Sequence, residues 1–145
     1  MIKRIRGLFR RKTGFSLIEV LIGVFLVAVA VIGLAQLLLV GMMNNSRAND
    51  IANAVFLAQQ EIDYLRTLTR EELSLVGSPT SELLDLNADG STDFRRITVV
   101  TFQDPAFAVK VLVFSKAQAL ANQSALIADP EGNRVRARLE TVISR

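Results

Sequence analysis

The 145-residue sequence has no cysteine and no histidine. Without cysteine there is no disulfide frame, no thiolate zinc site and no thiol nucleophile. Without histidine there is no imidazole base and no histidine-ligated metal. Most hydrolase and metalloenzyme mechanisms are excluded with those two residue types, and no enzymatic activity is expected. Proline is scarce, and none precedes Pro79. Charge is missing from a whole stretch, since no Asp, Glu, Lys or Arg occurs from Val20 to Ser46. Acid is missing from another, residues 1 to 14.

What stands in that acid-free stretch is Lys3, Arg4, Arg6, Arg10, Arg11 and Lys12. The formal net charge is +3 and the pI is near 9.8. Residues 15 to 145 nevertheless hold 11 basic against 14 acidic side chains. The basicity belongs to a short N-terminal segment, too densely charged to pack a core and suited to an anionic surface. A nucleic-acid site asks for basic residues spread over a folded face with aromatics between them. That pattern is absent, so a bilayer is the expected partner and nucleic acid is not.

Leu17 to Met43 is almost wholly apolar. About 20 residues cross the hydrocarbon core as a helix, so the run is long enough to span with some tilt. A buried core helix is the poorer reading, because only about 100 residues remain to cover it. A cleaved secretory signal fits Ala28-Val29-Ala30 formally. The apolar run continues far beyond that point, whereas an ordinary h-region has about 7 to 15 residues. The basic flank places residues 1 to 14 in the cytoplasm and the C-terminal part outside.

One ionisable group, Glu19, lies at the start of this run. Carboxylates within a membrane cost about 2.5 to 3.5 kcal/mol at mid-bilayer, less near an end, and mark function. Snorkelling to the head groups is the bland alternative. Glu19 follows Phe15 by four residues, about one helical turn. A cut after Gly14 would place an ammonium group on Phe15, one turn from this carboxylate.

A basic leader ending in Gly14, then Phe15-Ser16-Leu17-Ile18-Glu19-Val20 and a long apolar run, resembles the type IV prepilin signal. Type IV pilins and the pseudopilins of type II secretion share that signal. The resemblance implies cleavage between Gly14 and Phe15 by an inner-membrane prepilin peptidase, and N-methylation of Phe15. It implies a role for Glu19 in docking subunits in a filament, with other pilins or pseudopilins and an inner-membrane assembly platform as partners. Gly14 suits the cut, offering an unhindered carbonyl and an extendable backbone. Gln36 stands where many major pilins have proline, and no cysteine pair closes a C-terminal loop. Both departures favour a minor pilin or a pseudopilin. Val31-Ile32-Gly33-Leu34-Ala35-Gln36, Ala58-Gln59-Gln60-Glu61-Ile62 and the Asp-rich loop before Phe94-Arg95-Arg96 resemble the PilV-like branch of minor pilins. The nearest rival is a small type II secretion pseudopilin of the GspI kind. Gly33 and Gly41 allow close helix approach.

Beyond the span, Ile51, Val55, Ala58, Ile62 and Leu65 form an amphipathic stripe. One helix is expected from Phe15 to about Leu73, stopping near Gly77-Ser78-Pro79. Past Thr92 the period becomes two. Residues 94–103, 108–115 and 134–143 read as strands, joined by turns at Asp104-Pro105 and around Asp129-Pro130. Residues 117–128 fit a loop, a short helix or a strand. The expected fold is α+β, a long helix on a small antiparallel sheet. Its divisions are a leader (1–14), a membrane helix (15–43), an amphipathic half (44–76) and a head (77–145).

Three smaller features complete the reading. Asp85, Asn87, Asp89, Gly90 and Asp93 fit positions 1, 3, 5, 6 and 9 of a calcium loop, but position 12 is Arg96 instead of a bidentate Glu. No cofactor is expected, with calcium the one candidate. Arg134, Arg136 and Arg138 read as a solvated strand face. Ser115 and Lys116, adjacent on a strand, point to opposite faces and form no catalytic dyad. The expected function is structural: a single-pass inner-membrane subunit with its head in the periplasm. A membrane-anchored enzyme or a binding pilin are the other classes.

Overall fold

A computed structural model describes Gly14 and residues 16–144. The chain divides into two units, one ending at Met43 and one beginning at Asn44. Helix α1 (Leu17–Thr67) supplies the first unit and the opening of the second. In the first unit every described residue is exposed.

The second unit is α+β. After α1 come α2 (Arg70–Leu75), β1 (Thr80–Leu84), β2 (Phe94–Gln103), β3 (Ala106–Ser115), α3 (Gln123–Ala128) and β4 (Ala137–Ser144). A 3₁₀ turn, Lys116–Gln118, follows β3. The strands form one antiparallel sheet in sequence order, β1-β2-β3-β4. Asp104-Pro105 closes the β2–β3 hairpin, with Gln103 opposite Ala106 and Phe94 opposite Ser115.

Side-chain alternation gives this sheet two working faces. On one, Phe94, Phe107, Val109, Val111, Val113, Ala137 and Ile143 pack with Ala54, Leu57, Ala58, Ile62 and Leu65 of α1 and Leu73 of α2. On the other, Ile97, Leu112 and Phe114 pack with Leu126 of α3. Strand β3 is buried on both sides and reads as a nearly continuous apolar run, as a doubly covered strand should. Arg95 fastens the second layer. Its Nη1 donates to the carbonyls of Gln118, Ala119 and Ala121, and its Nε donates to Ser81 Oγ at 2.8 Å.

Several expectations need correcting. The helix does not run to Leu73. It ends at Thr67, and Thr69 takes an extended conformation (φ −70°, ψ 167°) that starts α2. Thr69 Oγ1 accepts from the Glu72 N–H while the Glu72 carboxylate accepts from the Thr69 N–H, a reciprocal capping box. That local bonding outcompetes continuation of the helix. The expected stripe holds at Ala58, Ile62 and Leu65, with Val55 packed against it, but Ile51 is 46% exposed and falls outside, and Ala54 and Leu57 join the buried face. Ala54 and Ala58 are fully buried, so methyl side chains define the close helix–sheet approach. Strand β1 was not expected; it pairs only with β2 and is mostly exposed, so it lacks an apolar pattern. Strand β3 starts at Ala106, two residues early, and β4 spans 137–144 instead of 134–143. Arg134 sits at φ +56° in a turn, and Arg136 precedes β4 half-buried. Only Arg138 of the three belongs to the strand, so they do not form one solvated strand face. Residues 117–128 hold a 3₁₀ turn and α3, whose first turn is capped by Asn122 Oδ1 accepting from the Ser124 N–H.

Candidate processing and assembly site

The segment singled out from sequence begins at Gly14, which is exposed, and a Cβ there would meet none of the described residues beyond its chain neighbours within 4 Å. Phe15, the expected methylation site and second half of the cleavage site, lies outside the described residues, as does the basic leader through residue 13. Ser16 starts α1. Its carbonyl accepts from the N–H of Glu19 at 2.9 Å and of Val20 at 3.2 Å. Ser16-Leu17-Ile18-Glu19 thus has the Ser-x-x-Glu spacing of a helix start, a local signal that the resemblance alone did not use.

Glu19 falls in the first turn of α1, where a carboxylate meets the positive end of the helix dipole. Such placement stabilises a helix by about 0.3 to 1 kcal/mol. The side chain is exposed and has no ion-pair partner among the described residues. From Leu17 to Met43 the helix is sheathed in apolar side chains, and the most apolar window has no buried residue. It is long and apolar enough to cross a membrane. A Cβ at Gly33 or Gly41 would meet nothing within 4 Å, so any close approach there is to lipid or another chain. Exposed apolar surface on this scale calls for a bilayer or partner helices.

The Asp-rich loop is held by its own backbone. Asp85 Oδ2 accepts from the Gly90 N–H at 2.8 Å, and Asp93 Oδ2 from the Leu86 N–H at 3.0 Å. Asp89 Oδ1 accepts from both the Ser91 hydroxyl and the Ser91 N–H, while Asn87 Oδ1 accepts from the Asp89 N–H. The Ser91 hydroxyl, followed by its N–H, holds the Asp89 carboxyl below its ordinary range. Gly90 takes φ +83°, the left-handed turn that glycine allows. Among the described residues no group of three or more carboxylates is placed to hold a metal ion. Arg96, at the twelfth position, points to other work: its Nη2 lies 2.9 Å from Glu61 Oε2 of α1 and also pairs with Glu82 of β1.

Ser115 and Lys116 differ from expectation. The strand ends at Ser115 and a 3₁₀ turn begins at Lys116, so alternation stops there and both border one pocket. The Glu61–Arg96–Glu82 cluster also escaped the sequence reading, because its members lie far apart along the chain.

Residues 9–35 match the family model described as the prokaryotic N-terminal methylation motif. That motif is the signal of type IV pilins and pseudopilins, and it contains Gly14, Phe15 and Glu19. The match supports a type IV pilin-like or pseudopilin protein, and that motif in general implies association with other pilins and with a prepilin peptidase. No curated protein and no solved structure matches the chain.

Proposed function

We propose that this chain is a minor type IV pilin, held in the bacterial inner membrane, processed by prepilin peptidase and incorporated into, or priming, a pilus filament. The observation that carries the reading is the methylation motif at 9–35 leading into an exposed apolar helix with Glu19 in its first turn. Hydrolysis of the Gly14–Phe15 bond releases the basic leader and leaves a free amine on Phe15, which is then methylated. The amine lies four residues before Glu19, about one turn, and supplies the cation that an intramembrane carboxylate lacks. Pairing of that ammonium with a neighbour's Glu19 gives assembly both a driving force and a register. The leader stays cytoplasmic and the second unit is periplasmic. No cofactor takes part.

The test is mass spectrometry of the full chain co-expressed with a prepilin peptidase, followed by fractionation of sheared filaments. Expected are a mature N-terminus at methylated Phe15 and recovery in the filament fraction. Gly14→Asp should keep its leader. Glu19→Ala should be cut and inserted yet depleted from filaments; normal incorporation of that variant would remove the assembly role. The second reading is a minor pseudopilin of type II secretion, which Gln36 in place of a mid-helix proline and the lack of cysteine also fit. Loss of secretion with intact pili after deletion would select it.

A further inference from the structure

Within the second unit, a pocket of about 570 Å³ is bordered by charges of both signs, and Lys116 also acts on Asp89 outside the lining. Asp50 and Asn53 face it from α1, Asp93 from the loop before β2, Ser115 and Lys116 from the end of β3, and Arg136 from the approach to β4. The Nε of Arg136 is buried and has no hydrogen-bond partner among the described residues. Neither Arg136 nor Lys116 forms an ion pair with Asp50 or Asp93, although Arg96, Lys110 and Arg138 are all paired elsewhere. Asp93 is partly engaged by the Leu86 N–H, whereas Asp50 has no side-chain partner among the described residues.

A buried donor without an acceptor keeps the full cost of its lost hydration, so the Arg136 Nε–H calls for an acceptor. One water would satisfy that N–H. It would leave unexplained why two cations and two carboxylates share a recess without pairing. Because the walls are balanced, a simple anion gains from Arg136 and Lys116 and is repelled by Asp50 and Asp93. A ligand bearing both charges is favoured by both sets.

We propose that this recess binds a zwitterionic group, its oxyanion on Arg136 and Lys116 and its ammonium on Asp50. Arginine presents a planar fork that fits carboxylate or phosphate oxygens, and lysine adds a point charge. Two sources carry this chemistry. One is a free small zwitterion. The other is the head group of phosphatidylethanolamine, within reach of a chain whose apolar run ends seven residues before Asp50 in the sequence.

The experiment follows the Arg136 Nε–H resonance of the full chain, assigned by its loss in Arg136→Lys. In detergent micelles, free O-phosphoethanolamine is titrated against inorganic phosphate. In nanodiscs, phosphatidylcholine alone is compared with phosphatidylcholine plus phosphatidylethanolamine. A saturable shift with O-phosphoethanolamine, about threefold to fivefold tighter than with phosphate, supports the site and a soluble source. A shift confined to the phosphatidylethanolamine discs supports the site and the lipid source. Asp50→Asn, at a helix-surface position, should abolish the preference over phosphate while leaving the melting temperature unchanged. No shift in either medium overturns the proposal and leaves water as the acceptor. Equal binding of phosphate and O-phosphoethanolamine overturns it as well, because the ammonium would then count for nothing.

Discussion

Arg96 on β2 and Glu61 on α1 are joined at 2.9 Å with only 12% and 16% of their side chains exposed, tying the sheet to the helix. Arg96 Nη1 also donates to the Leu57 carbonyl, and Thr98 Oγ1 donates to the other Glu61 oxygen, both at 3.3 Å. The pair is satisfied on both sides, which is the condition under which a shielded ion pair stabilises. Removing Arg96 leaves the Glu61 charge shielded without a cation, whereas removing Glu61 leaves Arg96 its second partner, Glu82. Arg96→Met is expected to lower stability by about 2 to 3 kcal/mol. Glu61→Gln plus Arg96→Met should cost less than the two single losses added. A double-mutant cycle in thermal or urea unfolding checks this, and strict additivity would show that the two residues do not interact.

The break between α1 and α2 rests on Thr69. Its hydroxyl caps the Glu72 N–H, and no other side chain among the described residues does so. Thr69→Ala should cost about 1 kcal/mol, or about 4 to 8 °C in melting temperature for a unit of this size. Thr69→Ser should recover most of the loss. An unchanged melting temperature in Thr69→Ala would mean that the cap contributes nothing.

Much of this fold is legible in the sequence because its determinants are local or periodic. Phe94–Gln103 alternates, Asp104-Pro105 marks the turn, and the apolar run to Met43 announces itself by length alone. The Thr69–Glu72 capping box is equally local, a Thr-x-x-Glu pattern that breaks the helix well before Gly77-Ser78-Pro79. The stripe on α1 is legible from Val55 to Leu65 by its period, and only its first member, Ile51, lies off the buried face that Ala54 and Leu57 complete. Strand β1 carries no pattern because its outer edge is unpaired. The partners of Arg96 and the isolation of Arg136 depend on the tertiary register of elements distant in sequence, which no spacing encodes. Glu19 and Gly14 are legible as a motif because the match at residues 9–35 is carried by contiguous residues and needs no tertiary fold.

Ala58 and Ile51 separate the buried part of the stripe from the exposed part. Ala58 is fully buried where α1 meets the sheet. Ala58→Leu should destabilise by about 1 to 3 kcal/mol through overpacking, although leucine is itself a good helix former. Ile51→Ala, removing a larger but exposed side chain, should change stability by less than about 0.5 kcal/mol. Chemical unfolding of both variants tests the pair, and the reverse order would restore the stripe through Ile51.

Acid sensitivity follows from three carboxyls held below their ordinary range. Glu140 is lowered by hydrogen bonding from Lys110 and then Arg138, Asp89 by Ser91, and Glu72 by the Thr69 N–H and then its hydroxyl. A folded-state pKa below the unfolded one means that stability is present above the unfolded value and lost as pH falls through the folded one. The melting temperature should therefore hold from neutrality to about pH 5 and fall below the ordinary values of 4.5 and 3.8. Glu140→Gln should be less stable at neutral pH and show a shallower acid decline. Parallel acid limbs for the two proteins would deny Glu140 any share.

The Asp85–Asp93 loop gives the final prediction. Its carboxylate oxygens already accept from Gly90, Leu86 and Ser91, so a calcium ion would have to break those bonds before gaining ligands. The bidentate glutamate that anchors such loops is replaced by Arg96, which is committed to Glu61 and Glu82. Millimolar calcium should leave the melting temperature of the full chain where it was, within about 1 °C. A site with a Kd near 10 μM, held at 1 mM free calcium, would stabilise by about 2.7 kcal/mol, far above that margin. An upward shift that Asp89→Asn abolishes would establish a calcium site and show that the loop trades its backbone hydrogen bonds for the ion.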